Sequence, residues 1–205
     1  LFHTCYSISL LLLSPALGDL HLPALFTDGM VLQRDMKAPI WGTADPNQEV
    51  KVQFGGQNKS ATADAGGHWR IDLDPLEVNA TTRPLRVTAG AEMRTIEGVR
   101  VGEVWLASGQ SNMEWSIKAS SAEDQRIAAS APVPLLSIFH IPRKLAATNQ
   151  SDVVAKWQPA TPDTVEGFSA VAYFFGRELT EKLEVPIVII ASSWGGSRIE
   201  PWAPE

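Results

Sequence analysis

The chain has 205 residues, of which 44% are apolar, and it carries a formal charge of −6. That length is ample for one hydrophobic core and allows two small ones. Lys and Arg form no cluster, which excludes nucleic acid as an expected partner, because phosphate binding requires one.

Residues 1–18 read as a targeting signal. Ile8 to Leu13 is a short apolar run, and Ala16-Leu17-Gly18 supplies small residues for cleavage. The segment lacks an initiating Met and a basic start, so the signal is expected to be incomplete. A buried N-terminal strand is the alternative. The run is too short for a bilayer anchor, so no membrane anchor is expected. The expected location is secreted: extracellular or lumenal, lysosomal or periplasmic according to source. The single cysteine, Cys5, lies in this segment, and a processed chain would have neither disulfide nor thiol chemistry. Asn58, Asn79 and Asn149 each head an Asn-x-Ser/Thr triplet, so a eukaryotic secretory route would make the protein a glycoprotein.

From about His21 to Gly98 the pattern is all-β. Val50, Val52 and Phe54 alternate with polar residues, as do Trp69, Ile71 and Leu73, and then Leu85, Val87 and Ala89. Turn signals separate them at Ala44-Asp45-Pro46-Asn47, Gly55-Gly56-Gln57-Asn58, Asp64-Ala65-Gly66-Gly67 and Ala89-Gly90. Short strands at this spacing predict a small β-sandwich over residues 19–98.

At Val99 the pattern changes to strand–helix alternation. Strands are predicted over Val99–Ala107, Leu135–Ile141 and Ile187–Ala191, and helices over Ala122–Ala129 and Ala170–Leu183. Pro132-Val133-Pro134 breaks the first helix, and Ser169 is the expected N-cap of the second. Val171, Phe174, Phe175, Leu179 and Leu183 are expected on its buried face. Arg143 to Gly167 is expected to be mostly loop, with a short extended piece at Lys156-Trp157-Gln158. The β-branched run from Ile187 suits a strand covered on both faces. Residues 99–205 therefore read as an open α/β sheet.

One stretch stands out chemically. A polar stop, Ser108-Gly109-Gln110-Ser111-Asn112, follows a buried strand directly. A serine on such a turn, lifted over the carboxyl edge of the sheet, is where α/β hydrolytic enzymes place a nucleophile. The other reading is that Ser111 only caps a helix.

The wider blocks resemble a known family. Gly102-Glu103-Val104-Trp105-Leu106 with Ser108-Gly109-Gln110-Ser111-Asn112-Met113 is similar to the nucleophile block of the sialate O-acetylesterases, members of the SGNH (GDSL-like) hydrolase superfamily. Ile189-Ile190-Ala191-Ser192-Ser193-Trp194-Gly195-Gly196-Ser197 with Ile199-Glu200-Pro201-Trp202 resembles a second block. Asp28-Gly29-Met30-Val31-Leu32-Gln33 with Ile40-Trp41-Gly42 resembles the N-terminal β domain.

The resemblance implies a β domain followed by a flavodoxin-like, three-layer α/β domain of about five parallel strands. Three strands are legible, so the α/β domain is expected to be truncated and the chain to be an N-terminal fragment. The implied activity is removal of O-acetyl groups from sialic acid through an acyl-enzyme. An acetyl xylan or polysaccharide esterase is the alternative among enzymes, and a non-catalytic carbohydrate-binding protein is the alternative outside them.

Ser111 matches the family nucleophile. Its own N–H and those of Gly195 and Gly196 are the expected oxyanion donors, with a plain tight turn as the other reading for the glycines. Asn112 either contributes a donor or braces the turn. The superfamily's Gly-x-Asn-Asp block is absent, and Trp194-Gly195-Gly196-Ser197 stands in that region. The family's Asp-x-x-His pair is also absent: none of His3, His21, His68 and His140 has Asp three residues before it. The catalytic Asp and His are therefore expected outside this chain, with His140 as the weaker alternative base. Glu114, Trp115, Glu200 and Trp202 flank the two blocks and either pack the loops together or stack on a sugar ring. No metal-ligand spacing and no phosphate loop occurs, so no metal and no cofactor is expected.

Overall fold

Where apolar and polar residues alternate, the chain pairs into strands. The computed structural model describes residues 20–148, 150–198 and Glu200. The expected signal segment, the triplet residue Asn149 and Trp202 lie outside the described residues.

The strands before Ser111 are β1 Val31–Gln33, β2 Ala38–Thr43, β3 Glu49–Phe54, β4 Gln57–Thr62, β5 His68–Leu73, β6 Asn79–Ala89 and β7 Glu92–Gly109. The helices α1 Ser111–Glu114 and α2 Ala122–Ser130 follow, with a 3₁₀ turn at Ile117–Ala119 between them. Then come β8 Val133–His140, β9 Trp157–Ala160, α3 Pro162–Val165, α4 Ala170–Leu183 and β10 Ile187–Ser193.

The main sheet runs β4-β3-β6-β7-β10-β8-β9, with β1 paired to β7 off this path. Neighbours from β4 to β7 are antiparallel. β7, β10 and β8 are parallel, and β9 closes the edge antiparallel to β8. β2 and β5 form a separate antiparallel pair. Their inward residues Ile40, Ile71 and Leu73 join Val50, Val52, Leu85, Val87 and Val99 in one core. A second core gathers Leu136, Ile138, Tyr173, Ile187 and Ile189. Each such fully buried side chain contributes about 1.5–3 kcal/mol relative to exposure.

The expected change of pattern near residues 98–102 falls inside β7, which starts earlier than Val99 and belongs to both parts. Its first half pairs with β6 and its second with β10. Leu85 pairs with Ile96 and Arg83 with Val99, so β7 carries one extra residue there. Gly98, at φ 72°, sits in that bulge, where a left-handed residue is readily supplied by glycine. At the change of partner, Glu103 N–H donates to the Pro186 carbonyl at 2.8 Å and Arg34 N–H to the Gly102 carbonyl at 2.9 Å. Arg34 also pairs with Glu103 at 2.6 Å, pinning β1 to β7.

Two local expectations need correction. Pro134 lies within β8, because the ladder to β9 skips from Val133 to Ser137 and asks no N–H of the proline. Helix α4 has the expected bounds, and Ser169 caps it by accepting the Ala172 N–H at 3.1 Å. Its buried face, however, is Ala172, Tyr173, Gly176 and Thr180. Val171 is 52% exposed and Phe175 and Leu183 are each 42% exposed. Phe174 and Leu179 pack only partly against the core. The small residues face the sheet because the helix backbone approaches it closely: a Cβ on Gly176 would stand 2.8 Å from Ile189 and Leu136 side chains. Phe175 instead meets Trp105 edge-on at 5.2 Å between ring centres.

Two outcomes follow for urea unfolding. Gly102→Ala is expected to cost about 3 kcal/mol or more, since its Cβ would fall 1.9 Å from the Pro186 carbonyl oxygen. Gly29→Ala, at φ 81° with open space around it, is expected to cost only the left-handed strain of about 1–2 kcal/mol. On α4, Val171→Lys should change stability by less than about 0.5 kcal/mol and Ala172→Lys should cost more than about 2 kcal/mol. The reverse order would place the other face of α4 against the sheet.

Candidate functional site

Parallel strands bring their carboxyl ends to one edge, where ligands of open α/β sheets bind. Here β7, β10 and β8 deliver three loops there: Gly109-Gln110-Ser111, Trp194–Ser197 and Ile141–Ala146. The pairing continues into them. Ser193 lies opposite Gly109, Trp194 N–H donates to the Gly109 carbonyl at 3.0 Å, and Ile141 N–H donates to the Ala191 carbonyl at 2.9 Å.

Gly109 turns the chain with φ 145°. Ser111 then opens the single turn of α1. The cap position belongs to Gln110 and no side chain caps the helix, so the capping role for Ser111 is not what the structure shows. Ser111 is exposed. Asn112 is also exposed, one residue into α1. Met113 turns toward the second core and accepts a long contact from the Ser169 hydroxyl, 3.7 Å.

The glycine turn comes to the serine. A Cβ built on Gly195 would lie 3.5 Å from both Cα and Cβ of Ser111. Ser197 N–H donates to the Trp194 carbonyl at 3.2 Å, and Gly196 fills the third position of this turn with φ 76°, a conformation glycine adopts without strain. The Gly195 N–H, expected as an oxyanion donor, is engaged within the chain: it donates to Glu114 Oε2 at 2.7 Å. The other carboxylate oxygen of Glu114 pairs with Arg143 at 2.9 Å. The Arg143 guanidinium lies 5.9 Å from the Trp194 ring centre. Of the residues flanking the two blocks, Glu114 thus packs the loops together, whereas Trp115 is 56% exposed. The Glu114 contact was detectable only as spacing, since residues three apart on a helix share a side.

A cavity of about 560 Å³ adjoins this cluster, lined by residues 141–146 and 192–197. Ser111 is outside its lining and meets its wall at Gly195.

The histidines stand elsewhere. His21 pairs with Asp152 at 3.5 Å, and His68 lies on β5. His140 ends β8, two strands from β7, with its ring 6.1 Å from that of Phe168. Among the described residues none of them is hydrogen-bonded to Ser111, and no group of three or more His, Cys, Asp or Glu could hold a metal ion. No helix among the described residues is long and apolar enough to cross a membrane.

No family model matches the chain. Human sialate O-acetylesterase is 34% identical over 196 residues, which is 85% of this chain and 37% of that protein. The mouse sialate O-acetylesterase is 32% identical over 195 residues, 85% of this chain and 36% of that protein. A solved carbohydrate acetylesterase from Xanthomonas citri superposes with a TM-score of 0.82 at 38% identity, covering 90% of this chain and 42% of that one. The chain therefore spans little more than a third of the length of the curated relatives it matches. By sequence, this chain is similar to the sialate O-acetylesterases, and by fold to a carbohydrate acetylesterase.

Proposed function

We propose that this chain carries the nucleophile-bearing part of a serine esterase that removes O-acetyl groups from carbohydrates, with O-acetylated sialic acid as the first substrate. The observation that carries this reading is the uncapped, exposed Ser111 at the end of β7 with Gly195 against it. The relatives' names supply the ester and the sugar.

In this reading the Ser111 Oγ attacks the acetyl carbonyl carbon. Its proton passes to a base, the sugar oxygen leaves with a proton, and the acetyl group remains on Ser111 until water releases acetate. The negative oxygen that forms on the carbonyl needs N–H donors already in place. Ser111 N–H, at the open start of α1, is one. Gly196 N–H is the other, since Gly195 N–H is held by Glu114. We place the Asp/His base outside the described residues, because none of the described histidines is hydrogen-bonded to Ser111.

The test uses the full chain encoded around this sequence. Acetate release is measured from O-acetylated sialic acid, acetylated xylan and an aryl acetate. Ser111→Ala is expected to lower kcat by at least about a thousandfold, as loss of a nucleophile does in serine hydrolases. Parent protein should also be labelled at Ser111 by an activated phosphonate. Undiminished turnover in Ser111→Ala overturns the nucleophile. Turnover of xylan alone moves the substrate to plant polysaccharide. Sugar binding with no hydrolysis of any ester leaves the binding-protein reading. The 205-residue chain by itself is expected to turn over the aryl acetate far more slowly than the full chain, because a serine without its base is a weak nucleophile.

A further inference from the structure

We infer that Glu114 is a positioning residue of this esterase: it holds the Trp194–Ser197 turn against Ser111 and so decides which N–H groups face the reacting carbonyl. The inference rests on the esterase reading above and assigns a further residue to the same site.

Helix α1 cannot hold Ser111 in place unaided. It is one turn long, lacks a side-chain cap and buries none of its residues. A single helical turn is unfavourable on its own because its dihedral angles are ordered for few hydrogen bonds. Its position therefore depends on contacts outside it: past its end the Trp115 carbonyl accepts the Ala170 N–H at 2.8 Å, and its own side chains supply the rest. Met113 supplies an apolar one. Glu114 supplies the polar ones, accepting Gly195 N–H at 2.7 Å and pairing with Arg143 at 2.9 Å. Hydrogen bonds to an ionised carboxylate are about twice as strong as neutral ones. One carboxylate thus joins the loops that follow β7, β10 and β8.

The contact also explains why residue 195 is glycine. A Cβ there would stand 2.6 Å from Glu114 Oε2. Any side chain would push the carboxylate away, and the turn with it. With Gly195 N–H turned onto Glu114, the donor left on this turn is Gly196 N–H, which makes no hydrogen bond among the described residues. Glu114 is not placed as the base for Ser111: its two oxygens are engaged by Gly195 and Arg143, and Ser111 donates to neither.

The experiment is made on the full chain with the aryl acetate. A misplacement of about 1 Å in a catalytic group costs about a hundredfold in rate. Glu114→Ala is expected to lower kcat about tenfold to a hundredfold with KM changed less than about threefold. Glu114→Gln keeps a carbonyl oxygen for Gly195 N–H and should recover kcat to within about fivefold of the parent, with an unchanged pH profile. Gly195→Ala should match Glu114→Ala, and the double variant should be little worse than either, because both break one contact.

An unchanged kcat in Glu114→Ala, with Ser111→Ala inactive, overturns the positioning role and leaves the esterase standing. Glu114→Gln as inactive as Glu114→Ala, with an altered pH profile, makes Glu114 an acid–base group and also overturns it. Turnover that survives Ser111→Ala overturns the esterase reading itself. If Glu114→Ala fails to fold, Glu114→Gln against Gly195→Ala decides: equal kcat values sink the inference.

Discussion

The structure depends on a single strand belonging to two cores. β7 has 18 residues, which at about 3.3 Å each make about 60 Å of extended chain. That reach lets one strand pair with β6 over one core and with β10 over the other. The handover at Gly102 and Glu103 is crowded because three segments meet there: β1 ends, β6 has left and Pro186 arrives. Only a residue without Cβ allows the Pro186 carbonyl so close, and the Arg34–Glu103 pair then holds the junction from the side. Everything after Ser111 hangs from the far end of this strand.

That dependence gives the carboxyl edge its chemistry. Parallel pairing from Glu103 to Gly109 sets β10 in register, so the loop after Ser193 must emerge beside the loop after Gly109. Ser111 and the glycine turn meet for that reason, although more than eighty residues of sequence lie between them. The register brings the two loops to the same place but leaves their orientation open. The Glu114 carboxylate supplies the orientation, by taking one N–H from the turn and one cation from the loop after β8.

Under the proposed reading, the arrangement divides the work of ester hydrolysis unevenly. The described residues provide an exposed hydroxyl, N–H groups near it and a cavity whose wall is the same glycine turn. Among them they bring no histidine to Ser111. The relatives that the chain matches are longer than it is. The surface of α4 shows a related division, since Val171, Phe175 and Leu183 are exposed while Ala172, Tyr173 and Gly176 are buried.

Local pattern did not show β4 or the early start of β7, but it was enough to read β3, β5, most of β8 and β10, the bounds of α4, the Ser169 cap and the serine turn. Each is governed by neighbours in sequence: alternation for a half-buried strand, a hydroxyl placed for a nearby N–H, a glycine at a turn. The resemblance of the two blocks was equally a matter of consecutive residues. Tertiary structure alone decided which face of α4 is buried, because residue size ranks Phe175 above Gly176 whereas close approach of backbones favours the glycine. It also decided that one strand crosses both cores, since pairing partners are separated by many residues and leave no local mark. The engagement of the Gly195 N–H by Glu114 belongs to the same class. A hydrogen bond across 81 positions is set by strand register and loop direction, and neither is a property of the residues at its ends.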